Sequence, residues 1–138
     1  MAPLQPVLYV ENNVGLRFCR AFNEFTVNHN WGAVYQGHIH PGMQRAQHGD
    51  EWWIEDISGK GYAILTSDLA IATTASERDA LRRCDARLVG FAKGDYDGWE
   101  QMRAITRHWD AIQEELQKGG PVILKVYAGP TPPEVERL

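Results

Sequence analysis

The chain has 138 residues, 43% of them hydrophobic and 23% charged, a balance that excludes a disordered or membrane-embedded protein and suits one core better than two. A net charge of −4 argues against coating nucleic acid through surplus Lys and Arg, but not against an enzyme acting on it, because metal-binding acids count as negative until an ion neutralises them. No run approaches the roughly 18 apolar residues that span a bilayer, and Met1 to Gln5 is no basic leader before an apolar stretch, so a cytoplasmic protein without membrane contact is expected.

In chain order, Val7 to Val10 is a short apolar run that meets the polar Glu11, Asn12 and Asn13, which predicts a buried strand with Glu11 at its C-terminal end. Val14, Phe18, Ala21, Phe22 and Phe25 recur at helical spacing, with Asn12 or Asn13 as the N-cap. A weaker strand is expected within residues 25–35. Residues 37–49 read as a loop holding His38, His40 and His48, to which a structural or surface role is assigned. Residues 50–58 predict a short helix turning Trp53, Ile54 and Ile57 inward and closed by Gly59 and Gly61. Residues 62–65 are the next strand, ending at Thr66, Ser67 and Asp68.

Thr74 and Glu77 have capping-box spacing and open a helix that runs to Cys84. Residues 88–91 form a further strand. Trp99, Met102, Ile105, Trp109, Ile112 and Leu116 then mark one long helix, boxed by Asp97 and Glu100 and stopped by Gly119 and Gly120. The last strand is 122–127. Residues 129–138, rich in proline and charge, read as a flexible tail or partner-binding arm outside a domain of residues 1–128. Cys19 and Cys84 lack CxxC spacing and are read as free thiols.

Strands alternating with helices imply an α/β fold in three layers, a mostly parallel central sheet flanked by helices. Ligands of such sheets gather beyond the carboxyl ends of the strands. Glu11 and Asp68 each follow an apolar run directly, and Asp50 with Glu51 opens the helix between them. Brought together, like charges raise one another's pKa, and a cation relieves the repulsion. An all-oxygen donor set suits Mg²⁺ or Mn²⁺, and such ions promote phosphodiester hydrolysis. Taken singly, Asp50 is also a plausible helix cap, Asp68 a turn residue and Glu11 a surface strand end. Glu77 and Asp97 are candidate additional acids, although capping accounts for each.

The series Val7 to Glu11, then Asp50-Glu51-Trp52-Trp53-Ile54, then Ile64-Leu65-Thr66-Ser67-Asp68, then Glu77-Arg78-Asp79-Ala80-Leu81, resembles the PIN-like domain of VapC-type toxins. That family shows an acid after its first strand, an Asp-Glu-x-Trp-Ile helix start, a Leu-Thr-Lys-Asp strand end and a Glu-Arg-x-Ala-Leu helix. The likeness extends to the closing strand, Pro121 to Tyr127. It implies a PIN-like fold, an endoribonuclease with Glu11, Asp50 and Asp68 as ligands of Mg²⁺ or Mn²⁺, and Asp50 or Glu51 orienting the attacking water. It also implies a cognate antitoxin protein that lays a peptide across the acids, and dimerisation is common in such folds. Two departures bear on activity: Glu11 stands where Asp is usual, and Ser67 replaces a lysine that would reach phosphate.

Candidate contacts to RNA are Thr66 and Ser67 at the strand end and Arg78 and Arg82 in a basic run that continues through Arg83 and Arg87, a run that also reads as a solvated face. Paired Trp52 and Trp53 read as core and rim packing. Two other classes remain: a catalytically inactive PIN-like binding module whose acids grip a basic partner, and a receiver-like phosphoacceptor domain using Lys125. Against the latter, the first strand supplies one acid and not a pair.

Overall fold

A computed structural model describes residues 2–42 and 50–138. The elements are β1 (Val7–Val10), α1 (Leu16–Phe25), β2 (Gly32–Tyr35), α2 (Gln36–Ile39), α3 (Glu51–Gly59), β3 (Ala63–Thr66), a 3-10 turn (Leu69–Ala72), α4 (Ala75–Arg83), β4 (Arg87–Phe91), α5 (Gly98–Arg107), α6 (Trp109–Gln117), β5 (Val122–Val126) and β6 (Glu134–Arg137). Among the described residues, no helix is long and apolar enough to cross a membrane.

The strands form one six-stranded sheet in the order β2-β1-β3-β4-β5-β6. Every pair from β2 to β5 is parallel, and only β6 runs antiparallel to its neighbour. β3, β4 and β5 carry near-continuous apolar runs because helices cover the sheet on both faces. On one face Leu8, Val10, Leu65, Val89 and Leu124 pack with Phe18 and Phe22 of α1, Ile105 of α5 and Ile112 of α6. On the other, Tyr9, Ile64, Leu88 and Ile123 pack with Trp53, Ile54 and Ile57 of α3 and Leu81 of α4. Alternation along each strand sends odd and even residues to these two cores. This three-layer α/β arrangement is the one expected from the alternating pattern.

The chain leaves β1 for β2 on one side and returns to β3 on the other, so β1 and β3 flank the point where the strand order reverses. Leu8, Tyr9 and Val10 pair with Ala63, Ile64 and Leu65, and the Glu11 amide donates to the Leu65 carbonyl at 3.0 Å. That register puts the residues after β1 beside Thr66, Ser67 and Asp68. A parallel α/β sheet opens a ligand-binding crevice at such a reversal. Gly90 on β4 faces Leu69 so closely that an added Cβ would lie 2.1 Å from its Cδ2, and the missing side chain lets the 3-10 turn after Asp68 sit down on the sheet.

Several local expectations are corrected. Neither Asn12 nor Asn13 caps α1; Gly15, at φ 105°, occupies that position. The segment read as loop begins with the short helix α2, and residues 43–49, including His48, lie outside the described residues. The long helix is two, α5 and α6, meeting at His108, whose Nε2 is 2.8 Å from the Gly129 carbonyl. The Thr74–Glu77 capping box does not form: the Thr74 hydroxyl donates instead to the Ala70 carbonyl at 3.2 Å, because the preceding 3-10 turn leaves that carbonyl in reach. The Asp97–Glu100 box does form, with both hydrogen bonds in place.

Residues 134–137 are not the flexible tail that their composition suggests. They pair with β5 as β6, and Arg137 binds the Gly119 carbonyl at 2.7 Å and the Glu115 carboxylate at 2.6 Å. The charged alternation marks a solvent-facing edge strand rather than a free arm. Cys19 and Cys84 are free thiols.

Candidate active site

Glu11 leaves β1 at the strand reversal and is only 7% exposed. Its carboxyl is pushed up to about 8, chiefly by burial and further by the charges of Asp50, Asp68 and Glu77, against a lowering hydrogen bond from Thr66. Its Oε2 is buried with no hydrogen-bond partner, as is Oδ1 of the adjacent Asn12. Two orphaned oxygens at the end of one strand are unusual, since buried polar atoms are nearly always paired.

Asp50 precedes α3, and its side chain does not cap the helix; Oδ1 accepts the Trp53 indole N–H at 2.9 Å. Trp53 is fully buried and stacks on Tyr9 at 5.2 Å between ring centroids, so the core fixes the aim of Asp50. Asp68 holds the 3-10 turn through Oδ1, which accepts the Ala70 amide at 2.9 Å. In both aspartates a protein donor orients Oδ1.

Glu77, released from capping, faces these acids from α4. Its carboxyl is pushed up to about 7, first by burial and then by the neighbouring Asp50, Asp68 and Glu51. Glu11 and Glu77 thus both lie within the field of Asp50 and Asp68, and Glu77 also within that of Glu51. Asp97 is not among the charges that act there; its side chain is spent on the α5 cap.

Asn13 joins the two strand ends, a role that capping logic missed. Its Nδ2 donates to Thr66 Oγ at 3.2 Å, its Oδ1 accepts the Ser67 amide at 3.2 Å, and its carbonyl accepts the Ser67 hydroxyl at 3.0 Å. Thr66 and Ser67 are buried, and their hydroxyls donate to the carbonyls of Asp68 and Asn13. The available signal was an Asn two residues past a strand-end acid, which suits a bridge as well as a cap.

Of the basic run, Arg78 is engaged by Glu136 of β6 at 3.0 Å and by the Ala72 carbonyl at 3.0 Å. Arg87 is buried and donates to the carbonyls of Leu116 and Ala2, each at 3.2 Å, and burial lowers its pKa. Arg82 is exposed on α4. His40, 8% exposed, bridges Tyr9 Oη at 2.7 Å and Asp56 at 2.8 Å, tying β1 to α3 behind the acids.

The donor chemistry fits a hard divalent cation: oxygen ligands only, one buried oxygen unsatisfied, and mutual repulsion that a cation would relieve. As the side chains stand, no group of three His, Cys, Asp or Glu among the described residues is gathered closely enough to hold an ion. Neither the curated proteins nor the solved structures contain a match to this chain. A family model for the PIN-like domain does match, over residues 6–93, the stretch that carries Glu11, Asp50, Asp68 and Glu77, and the chain belongs to that family.

Proposed function

We propose that the protein is a divalent-metal-dependent endoribonuclease that hydrolyses RNA phosphodiester bonds, and that it is the toxin of a VapC-type toxin–antitoxin pair. PIN-like domains are in general metal-dependent nucleases, which supports the reaction class. The observation that carries the reading is the buried, unsatisfied Glu11 carboxyl facing Asp50, Asp68 and Glu77 where the strand order reverses.

In this reading Glu11, Asp50 and Asp68 hold the ion. Mg²⁺ or Mn²⁺, when bound, would polarise the scissile phosphodiester and provide a nucleophile at neutral pH. Trp53 keeps Asp50 aligned, and Asp50 or Glu51 orients the attacking water and accepts its proton. Glu77, whose carboxyl the neighbouring acids push up, would ionise more readily once a cation reduced the negative field. Arg82 is the arginine of the α4 run best placed to meet a phosphate, because Arg78 is committed to β6. A cognate antitoxin would insert a basic side chain among the acids, replacing the ion as counter-charge.

The test is RNA cleavage with and without Mg²⁺ or Mn²⁺, beside Asp68→Asn. Loss should exceed the roughly 10- to 100-fold typical of removing an outer-sphere support. Equal cleavage in every sample would sink the proposal. A second reading, a non-catalytic PIN-like binding module, draws support from Glu11 in place of Asp and from the absence of a ready-made ion site among the described residues. Metal-independent binding of a basic peptide without cleavage would favour it.

A further inference from the structure

Between α1 and α5 a trough runs away from the acidic edge. Its upper part, about 650 Å³, is lined by Arg17, Tyr96, Trp99 and Met102 among others. Its lower part, about 280 Å³, shares Trp99 and Met102 and adds Phe25 and Arg103. Both walls lead back along the chain to the ends of β1 and β3. The amides of Val14 and Gly15 donate to the Glu11 carbonyl at 3.0 and 3.2 Å, starting the turn that leads to Arg17. The loop after β4 abuts the other strand end, where a Cβ on Gly94 would lie 3.4 Å from the Ser67 carbonyl.

Trp99 is 72% exposed and Phe25 71%, although burying such rings is strongly favourable. Arg17 and Arg103 take part in none of the ion pairs among the described residues, which engage other cations. On a chain of net charge −4, a channel lined by two unpaired guanidinium groups and exposed aromatic faces, with Asp97 the one carboxylate in its lining, stands out. Single-stranded nucleic acid is bound by that combination, phosphates on cations and bases on rings. A ten-residue helix forming one wall gives a length of about 15 Å, room for a few nucleotides.

Resting on the ribonuclease reading, we propose that this trough holds the single-stranded RNA flanking the scissile bond, with Trp99 and Phe25 as base-stacking platforms and Arg17 and Arg103 as phosphate contacts. Duplex RNA, whose bases are already stacked, gains nothing from the rings.

The test is anisotropy of a labelled single-stranded RNA of about twelve nucleotides, within the site sizes of such grooves, measured in chelator so that binding is read without cleavage. Trp99→Ala should weaken binding about 5- to 100-fold, while Trp99→Phe should retain most of it. Arg17→Ala and Arg103→Ala should each lower the slope of log K against log salt by about 0.7. Because these side chains are exposed, circular dichroism should show unchanged folding. Wild-type affinity in Trp99→Ala and Arg17→Ala would overturn the proposal, as would equal affinity for blunt duplex RNA. So would a dimer, seen by sedimentation, that Trp99→Ala dissolves and RNA does not compete with. Metal-dependent cleavage with wild-type binding in all these variants would remove the trough and leave the nuclease. Trp99-dependent binding without any cleavage would do the reverse.

Discussion

Glu11 and Asn13, two residues apart, do different work at the same strand end. Asn13→Ala removes two side-chain hydrogen bonds that join the ends of β1 and β3, a cost of about 1–3 kcal/mol in a denaturant melt. If it also supports the acids, metal-dependent cleavage by Asn13→Ala should fall under conditions where the variant is fully folded; unchanged cleavage would confine Asn13 to stability. Glu11→Asp shortens the side chain by one methylene and is expected to change the metal concentration for half-maximal activity more than it changes the melt. Replacement by Gln should abolish metal-dependent cleavage. Glu11 was legible as a strand-end acid from an apolar run meeting a polar turn, whereas the Asn13 bridge was not, since its partners lie more than fifty residues away.

Among the elements, α3 and α5 show the two uses of an aspartate at a helix start. Asp97 caps α5 through the Glu100 amide at 2.8 Å, and Asp97→Ala should cost about 1 kcal/mol of stability while leaving metal affinity unchanged. Asp50 stands at the same kind of position but accepts from Trp53, so its substitution should affect metal affinity. A reduced metal affinity in Asp97→Ala would contradict this division. The sequence spacing of Asp50, Thr74 and Asp97 suggested capping for all three. Only the packing of Trp53 against Tyr9, and of the 3-10 turn ahead of Thr74, separated the cap from the others.

Across the whole molecule, the acid cluster makes stability depend on pH. Glu11 is raised from 4.5 to about 8, so between those values the folded state binds more protons than the unfolded state. This contribution is fully present below the unfolded pKa and is lost as pH rises through about 8, and Glu77, raised to about 7, adds in the same direction. Metal-free protein should therefore lose thermal stability from weak acid to mild alkali. Mn²⁺ should raise the midpoint more at the alkaline end, where the acids are charged, and Glu11→Gln should flatten the profile. A pH-independent midpoint in metal-free wild type would contradict the electrostatics. Deleting residues 133–138 should expose the β5 edge and the Arg78 guanidinium, lowering the midpoint and promoting self-association by strand pairing.

Local patterns determined the alternation of strands and helices, the inward face of α3, those of α1 and α5 apart from the exposed Phe25 and Trp99, and the placing of Glu11 and Asp68 just past buried strands. These follow from apolar periodicity and turn chemistry within a few residues of each other. Tertiary structure decided which acids act on one another's charge, that Glu77 is among them and that Asp97 is spent on a cap, that Arg78 and Arg87 are spent on the fold, and that the charged C-terminal segment closes the sheet edge. Those outcomes depend on strand order and on side chains distant in sequence competing for the same partners, and spacing along the chain carries no record of that competition.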